Sequence, residues 1–211
     1  MEENNHHILK AKHHFFIYPF FQFYTKMMIK KKFESISIEG TFQDNGKSVM
    51  LIGNHISWWD GFWAMYINLK LFKKKFHFMM QEDQLIRYKF FNYTGGFSIN
   101  NKPRNIVESI DYSSSLLNDK DNLLLIYPQG KINSIYQSNF QFRRGIEKII
   151  KDKDIQLIFS ANLIDYFSKP KPSVFIYIHE YKGDYTHKSI QEAYNEFYLN
   201  SFQYQTHRKY D

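Results

Sequence analysis

No cysteine occurs among the 211 residues. Its absence excludes a disulfide framework and any thiolate metal site, and it fits a reducing compartment. No stretch reaches the ~20 consecutive apolar residues of a membrane-spanning helix, and no small-residue cleavage site marks a secretory leader. Internal repeats, low-complexity tracts and linker-like stretches are missing too, so a chain of this length reads as one well-buried domain. A metal centre is not expected, because the His and Asp residues that attract attention below have no third ligand at a regular spacing.

Positive charge and aromatic rings are what the chain has in excess. A formal charge of +7 calls for an anionic partner: nucleic acid, a phosphorylated substrate or a lipid surface. The 21 Phe and 16 Tyr crowd into apolar clusters. A platform for single-stranded nucleic acid alternates aromatic with basic residues, so no nucleic-acid partner is expected and a membrane surface is favoured. Phe15 to Ile29 is apolar and aromatic, interrupted strongly only by Gln22, Thr25 and Lys26, and Lys30, Lys31 and Lys32 follow. Residues 1–34 are therefore expected to form a helical, aromatic and basic segment associating with lipid, peripheral or monotopic, at the cytoplasmic face of the cell membrane. Packing of that helix on the domain core is the alternative. His6, His7, His13 and His14 lie in a polar stretch and read as solvated.

Residues 35–211 carry alternating strand and helix patterns. Strands are expected at Ser35–Gly40, Lys47–Gly53, Phe76–Met80, Phe97–Ile99, Asn122–Tyr127, Gln156–Phe159 and Ser173–Ile178. Helices are expected from Trp58 to Ile67, Asp83 to Asn92, Pro103 to Leu117, Gly145 to Ile150 and Ser189 to Phe202. Such alternation predicts a single α/β domain with a mixed, mostly parallel sheet flanked by helices.

Asn54-His55-Ile56-Ser57-Trp58-Trp59-Asp60 follows one of these apolar strands. Imidazole takes a proton at neutral pH, and a carboxylate bonded to its other nitrogen fixes the tautomer and stabilises the imidazolium. Five residues of continuous helix would turn Asp60 about 140° away from His55. The pair can therefore meet only if His55 precedes the helix in an irregular turn. Two further loops follow apolar strands, Ile99 to Arg104 and Pro128 to Asn133, and in open α/β sheets such loops gather around one crevice.

The order and residues of these loops resemble the glycerolipid acyltransferase family, which includes lysophosphatidic acid and glycerol-3-phosphate acyltransferases, over roughly residues 36 to 180. Asn54-His55 and Asp60 match its Asn-His-x-x-x-x-Asp block. The resemblance implies that His55 deprotonates an acceptor hydroxyl, that Asp60 orients it, and that the alkoxide attacks an acyl thioester directly. Gly96-Phe97-Ser98-Ile99-Asn100-Asn101 resembles the second block, with Asn100 and Asn101 where an acidic residue and an arginine are usual. Tyr127-Pro128-Gln129-Gly130-Lys131 resembles the third, with Gln129 for the usual Glu and Ile132 for the usual Arg. Leu157-Ile158-Phe159-Ser160-Ala161 resembles the fourth without its proline. Substrate contacts are accordingly expected from Asn54, Asn100, Lys102, Arg104, Pro128, Gln129, Gly130, Lys131, Arg143 and Arg144. The implied co-substrate is acyl-CoA or acyl carrier protein, with no permanently bound cofactor, and the implied acceptor a lysophospholipid or related lipid. The departures leave open an acceptor without a phosphate, or a lipid-binding module of the same fold with weakened catalysis.

Overall fold

The strand Ser48–Gly53 is buried along its whole length, and its alternate side chains enter different cores. Val49 and Leu51 join Phe21, Ile29, Phe62 and Trp63, whereas Met50 and Ile52 join Phe140, Ile146, Ile149 and Tyr194. A strand apolar on both faces belongs inside a parallel sheet covered by two helical layers. In the computed structural model, which describes residues 7–100 and 102–209, it lies at the centre of a seven-stranded sheet. His6 and Asn101, named above, lie outside the described residues.

The strands are β1 (Ile36–Glu39), β2 (Ser48–Gly53), β3 (Lys75–Gln81), β4 (Gly96–Ile99), β5 (Asn122–Ile126), β6 (Ile155–Asp165) and β7 (Ser173–Tyr181). Their spatial order is β1-β7-β6-β2-β5-β3-β4, and every pair is parallel except β6 with β7. The helices are α1 (Ile17–Lys32), α2 (Asp60–Ile67), α3 (Glu82–Arg87), α4 (Pro103–Leu116), α5 (Ile146–Ile150) and α6 (His187–Thr206). Residues of α1 and α2 fill one core and residues of α4, α5 and α6 the other. The expected α/β fold with a mixed, mostly parallel sheet is the one observed.

Among the elements that depart from the expected bounds, three show the physical reason. The helix expected from Asp83 to Asn92 breaks at Tyr88 (φ −117°, ψ 60°) and continues as a 3-10 turn, Lys89–Tyr93. The break turns Phe90 and Phe91 onto Phe21 of α1, with ring centroids 5.3 and 6.1 Å away. Aromatic packing there replaces another turn of helix. Strand β6 runs on to Asp165 because β7 pairs with it antiparallel from Leu157 to Asp165. The closing helix starts at His187, where the Thr186 hydroxyl accepts from the Ser189 amide.

Helix α1 has two unlike faces. Phe21, Thr25 and Ile29 are buried, while Phe15 and Phe16 just before it and Phe20, Phe23 and Met27 on it are exposed. No described helix is long and apolar enough to cross a membrane. Ahead of α1 the chain lies along the outer edge of the sheet. The Leu9 carbonyl accepts from Ser98 N, and the Lys12 carbonyl from Gly95 N. His13 is not solvated as expected. Its Nε2 meets the Phe76 carbonyl at 2.8 Å, and its ring stands edge-on to His77 and Tyr18. Burial holds His13 below the usual histidine range and His77 further down, to about 4.

Candidate active site

Strand β2 ends at Gly53, and six residues of irregular chain separate it from α2. That turn lets His55 and Asp60 meet, His55 Nδ1 lying 2.6 Å from Asp60 Oδ2. Asp60 begins α2, where the helix dipole favours a carboxylate. The same Oδ2 accepts from Ile56 N at 2.7 Å and Ser57 N at 2.9 Å. Burial pushes the Asp60 carboxyl above its ordinary range, against the opposing pull of His55 and of those two amides. A carboxylate in this setting takes Nδ1–H from the ring and leaves Nε2 as the basic nitrogen. Asp60 is wholly buried, whereas a quarter of the His55 side chain is exposed.

Neighbouring strands hold the rest of His55. Its ring stacks on Tyr127, just past β5, at 4.5 Å between centroids and 10° between planes. Its backbone N–H donates to Gln129 Oε1 at 2.8 Å, and its carbonyl accepts from Asn133 N at 2.9 Å. Asn54 holds the turn from the other side: Nδ2 donates to the Asn162 carbonyl on β6 at 3.0 Å, and Oδ1 accepts from Asn162 N at 2.8 Å. Backbone, carboxylate and stacked ring thus fix the imidazole in place, which is the arrangement a general base requires.

The Acyltransferase family model, that of the glycerolipid acyltransferases, matches residues 32–158. The chain belongs to this family. A comparison with curated proteins finds no matching relative. The matched stretch of this acyltransferase begins at the end of α1 and stops inside β6, and it contains the whole turn from Asn54 to Asp60 and the loop after β5.

Around that turn the residues expected to touch substrate fall into three groups. Asn54, Pro128 and Gln129 are buried. Asn54 has both ends of its amide on the β6 backbone, so it positions the His55 turn. Gln129 supports His55 through its oxygen, and Pro128 is tied by its carbonyl to Arg143 N at 2.8 Å. Gly130, Lys131, Arg143 and Arg144 are exposed in the loops after β5. Gly130 has φ +68°, and a Cβ there would stand 2.4 Å from Arg143 Nε. Glycine therefore lets the Arg143 guanidinium lie across the loop that carries Gln129.

Asn100, Lys102 and Arg104 follow β4, the outermost strand, three places from β2. At about 4.8 Å per strand they start roughly 14 Å to the side of His55's own strand. Asn100 Nδ2 donates to Glu82 Oε2 at 2.5 Å and its Oδ1 accepts from Lys102 N, while Lys102 and Arg104 are exposed. Sequence reasoning did not single out the Ile56 and Ser57 amides, the stacking face of Tyr127 or the Asn162 anchor. Tyr127 adjoins the Pro-Gln-Gly loop in sequence, but Asn162 lies 108 residues from its partner and leaves no local signal.

Proposed function

We propose that this acyltransferase moves a fatty acyl group from a thioester donor, acyl-CoA or acyl carrier protein, to the hydroxyl of a lysophospholipid or related lipid. The observation that carries the reading is the His55–Asp60 contact at 2.6 Å on an imidazole stacked against Tyr127 and partly open to solvent. Nε2 takes the proton of the acceptor hydroxyl as its oxygen forms a bond to the thioester carbonyl carbon. The C–S bond then breaks, and the leaving thiolate recovers the proton from the imidazolium, whose charge Asp60 balances meanwhile. No acyl-enzyme is needed, since the nucleophile belongs to the acceptor.

Arg143 is the basic group best supported for an anionic acceptor or donor, because it lies across Gly130, one residue beyond the side chain that holds His55 N. A guanidinium binds phosphate through two parallel N–H bonds, so Arg143 can take over from the arginine that Ile132 replaces. The exposed Phe15, Phe16, Phe20, Phe23 and Met27, flanked by Lys30, Lys31 and Lys32, support a peripheral seat on an anionic lipid surface. The deciding experiment is an acyl-transfer assay of the purified chain and of His55→Ala with lysophospholipid and long-chain acyl-CoA or acyl carrier protein. Transfer that depends on His55 supports the reading. Equal transfer by both proteins removes His55 from the chemistry.

A further inference from the structure

Between the C-terminal half of α1 and the far end of α2 lies a cavity of about 480 Å³ that acyl transfer leaves without a role. Part of its lining is apolar: Ile29 and Phe33 are buried, and Leu69 is half-buried. Around it stand Lys26 and Lys30 of α1 and Lys70, on the π-helical turn Asn68–Phe72 that continues α2, all three exposed. No residue of the turn from Asn54 to Asp60 or of the loop after β5 lines the cavity. Lys70 comes ten residues after Asp60, on the order of 15 Å along the helix axis.

The charges around this cavity are unbalanced. Among the described residues none of the three lysines makes an ion pair, and Glu34 is the one acid in the lining, so three positive charges face one negative. Lys70 Nζ stands 5.6 Å from the centroid of the Tyr66 ring, which also lines the cavity. Cations gathered at one concavity repel one another and focus a field that a bound anion relieves. Their place on α1 shows where that anion comes from. At about 100° per residue, Lys26 and Lys30 fall between the exposed stripe of Phe20, Phe23 and Met27 and the buried Ile29. With the stripe in hydrocarbon, the lysines and the cavity stand at the depth of lipid phosphates, and Ile29, Phe33 and Leu69 meet the first carbons of the chains.

We infer that this cavity binds the headgroup phosphate of one anionic phospholipid, which neither gives nor receives the acyl group and which holds the chain on the membrane. The inference rests on the peripheral seat proposed above and is independent of the chemistry at His55. In the first test the chain is sedimented with vesicles of phosphatidylcholine and phosphatidylglycerol, beside Lys26→Gln/Lys70→Gln and Lys31→Gln/Lys32→Gln. All four lysines are exposed, so both variants keep the fold. Each loses two charges, and diffuse attraction alone makes their losses equal, about fivefold in affinity per lysine. Direct bonds to a phosphate make the loss in Lys26→Gln/Lys70→Gln larger by a further tenfold or about that. Equal losses overturn the site and leave the seat standing.

The second test needs no bilayer. The chain is titrated calorimetrically with monomeric dihexanoyl phosphatidylglycerol and with glycerol phosphate, which carries the phosphate without the chains. The lipid should bind about tenfold more tightly, the worth of roughly two buried methylenes, and that binding should be lost in Lys26→Gln/Lys70→Gln. This result upholds the site even if the vesicles fail to capture the chain, in which case the seat alone is lost. Equal binding of the two probes assigns the cavity to a soluble phosphate ester and overturns the inference. Lipid binding that is absent, or that survives in the variant, overturns it as well.

Discussion

The turn after β2 and the turn after β4 leave the same edge of one sheet, yet they are built on opposite plans. The first is bonded at almost every residue: Asn54 to β6, His55 through ring, N–H and carbonyl, and Ile56 and Ser57 to Asp60. The second has Asn100 on Glu82 and Lys102 N, and then two cations in solvent. A general base must be placed before substrate arrives, because misplacement by even ~1 Å erases much of its value. A cation that greets a headgroup gains little from rigidity and can follow whichever anion comes. Substitutions in the first turn should therefore act on kcat, and those in the second on KM.

The largest expected break in this comparison is His55→Ala, with kcat falling by about 10³-fold, within the range general-base catalysis supplies. Asp60→Asn should follow closely, since an amide in place of the carboxylate can present a donor to Nδ1 and favour the wrong tautomer. Steady-state kinetics beside an unchanged circular dichroism spectrum would check both. A rise in KM with kcat unchanged would mean that the first turn binds and does not catalyse. Asn54→Ala should cost about 3 kcal/mol of stability, because it strands the buried N–H and C=O of Asn162, and urea unfolding measures it. A loss well below 1 kcal/mol would show that the clamp is not needed to hold the turn.

His77 lies under the sparse side of the sheet and makes a pH test. Its folded pKa is about 4 against 6.5 for the free side chain, so between those values the unfolded chain binds the proton and the folded chain does not. Stability is full above pH 6.5 and falls as the pH drops towards 4. Between pH 7 and pH 5 this one group should remove about 2 kcal/mol. The same two urea titrations on His77→Gln should show that increment gone, and an equal loss in both proteins would assign it elsewhere. Smaller again, Arg143→Ala should raise the KM of a phosphate-bearing acceptor about tenfold, with Arg143→Lys recovering part of it. Lys102→Ala and Arg104→Ala should each stay within about threefold. Reversal of that order would move the anion site from the loop after β5 to the loop after β4.

Much of this contrast could be read before any coordinates. Leu51, Leu124 and Ile158 lie in runs apolar on both faces, which only a covered parallel sheet accommodates, and His55 and Asp60 stand close enough in the chain for their meeting to be reasoned out. What stayed hidden depends on partners distant in sequence. The anchoring of Asn54 on β6 left no local sign because its partner, Asn162, comes 108 residues later. His13 looked solvated because nothing near it announces His77 or the Phe76 carbonyl. The break at Tyr88 has neither Pro nor Gly to signal it, and it follows from Phe90 and Phe91 packing on α1.

The chain from Leu9 to His14, described above as lying along the outer edge of the sheet, also covers a surface through which one molecule could pair with another. An outer strand with free amides and carbonyls is a template for any other extended chain, and here the protein's own backbone occupies it through Ser98 and Gly95. Gly95, at φ +103°, permits the close approach: a Cβ there would fall 2.8 Å from His13 Nε2. A chain shortened to begin at Phe15 would keep His55 and its turn intact while baring that edge. It should scatter light and elute early from a sizing column at concentrations where the longer chain stays dispersed.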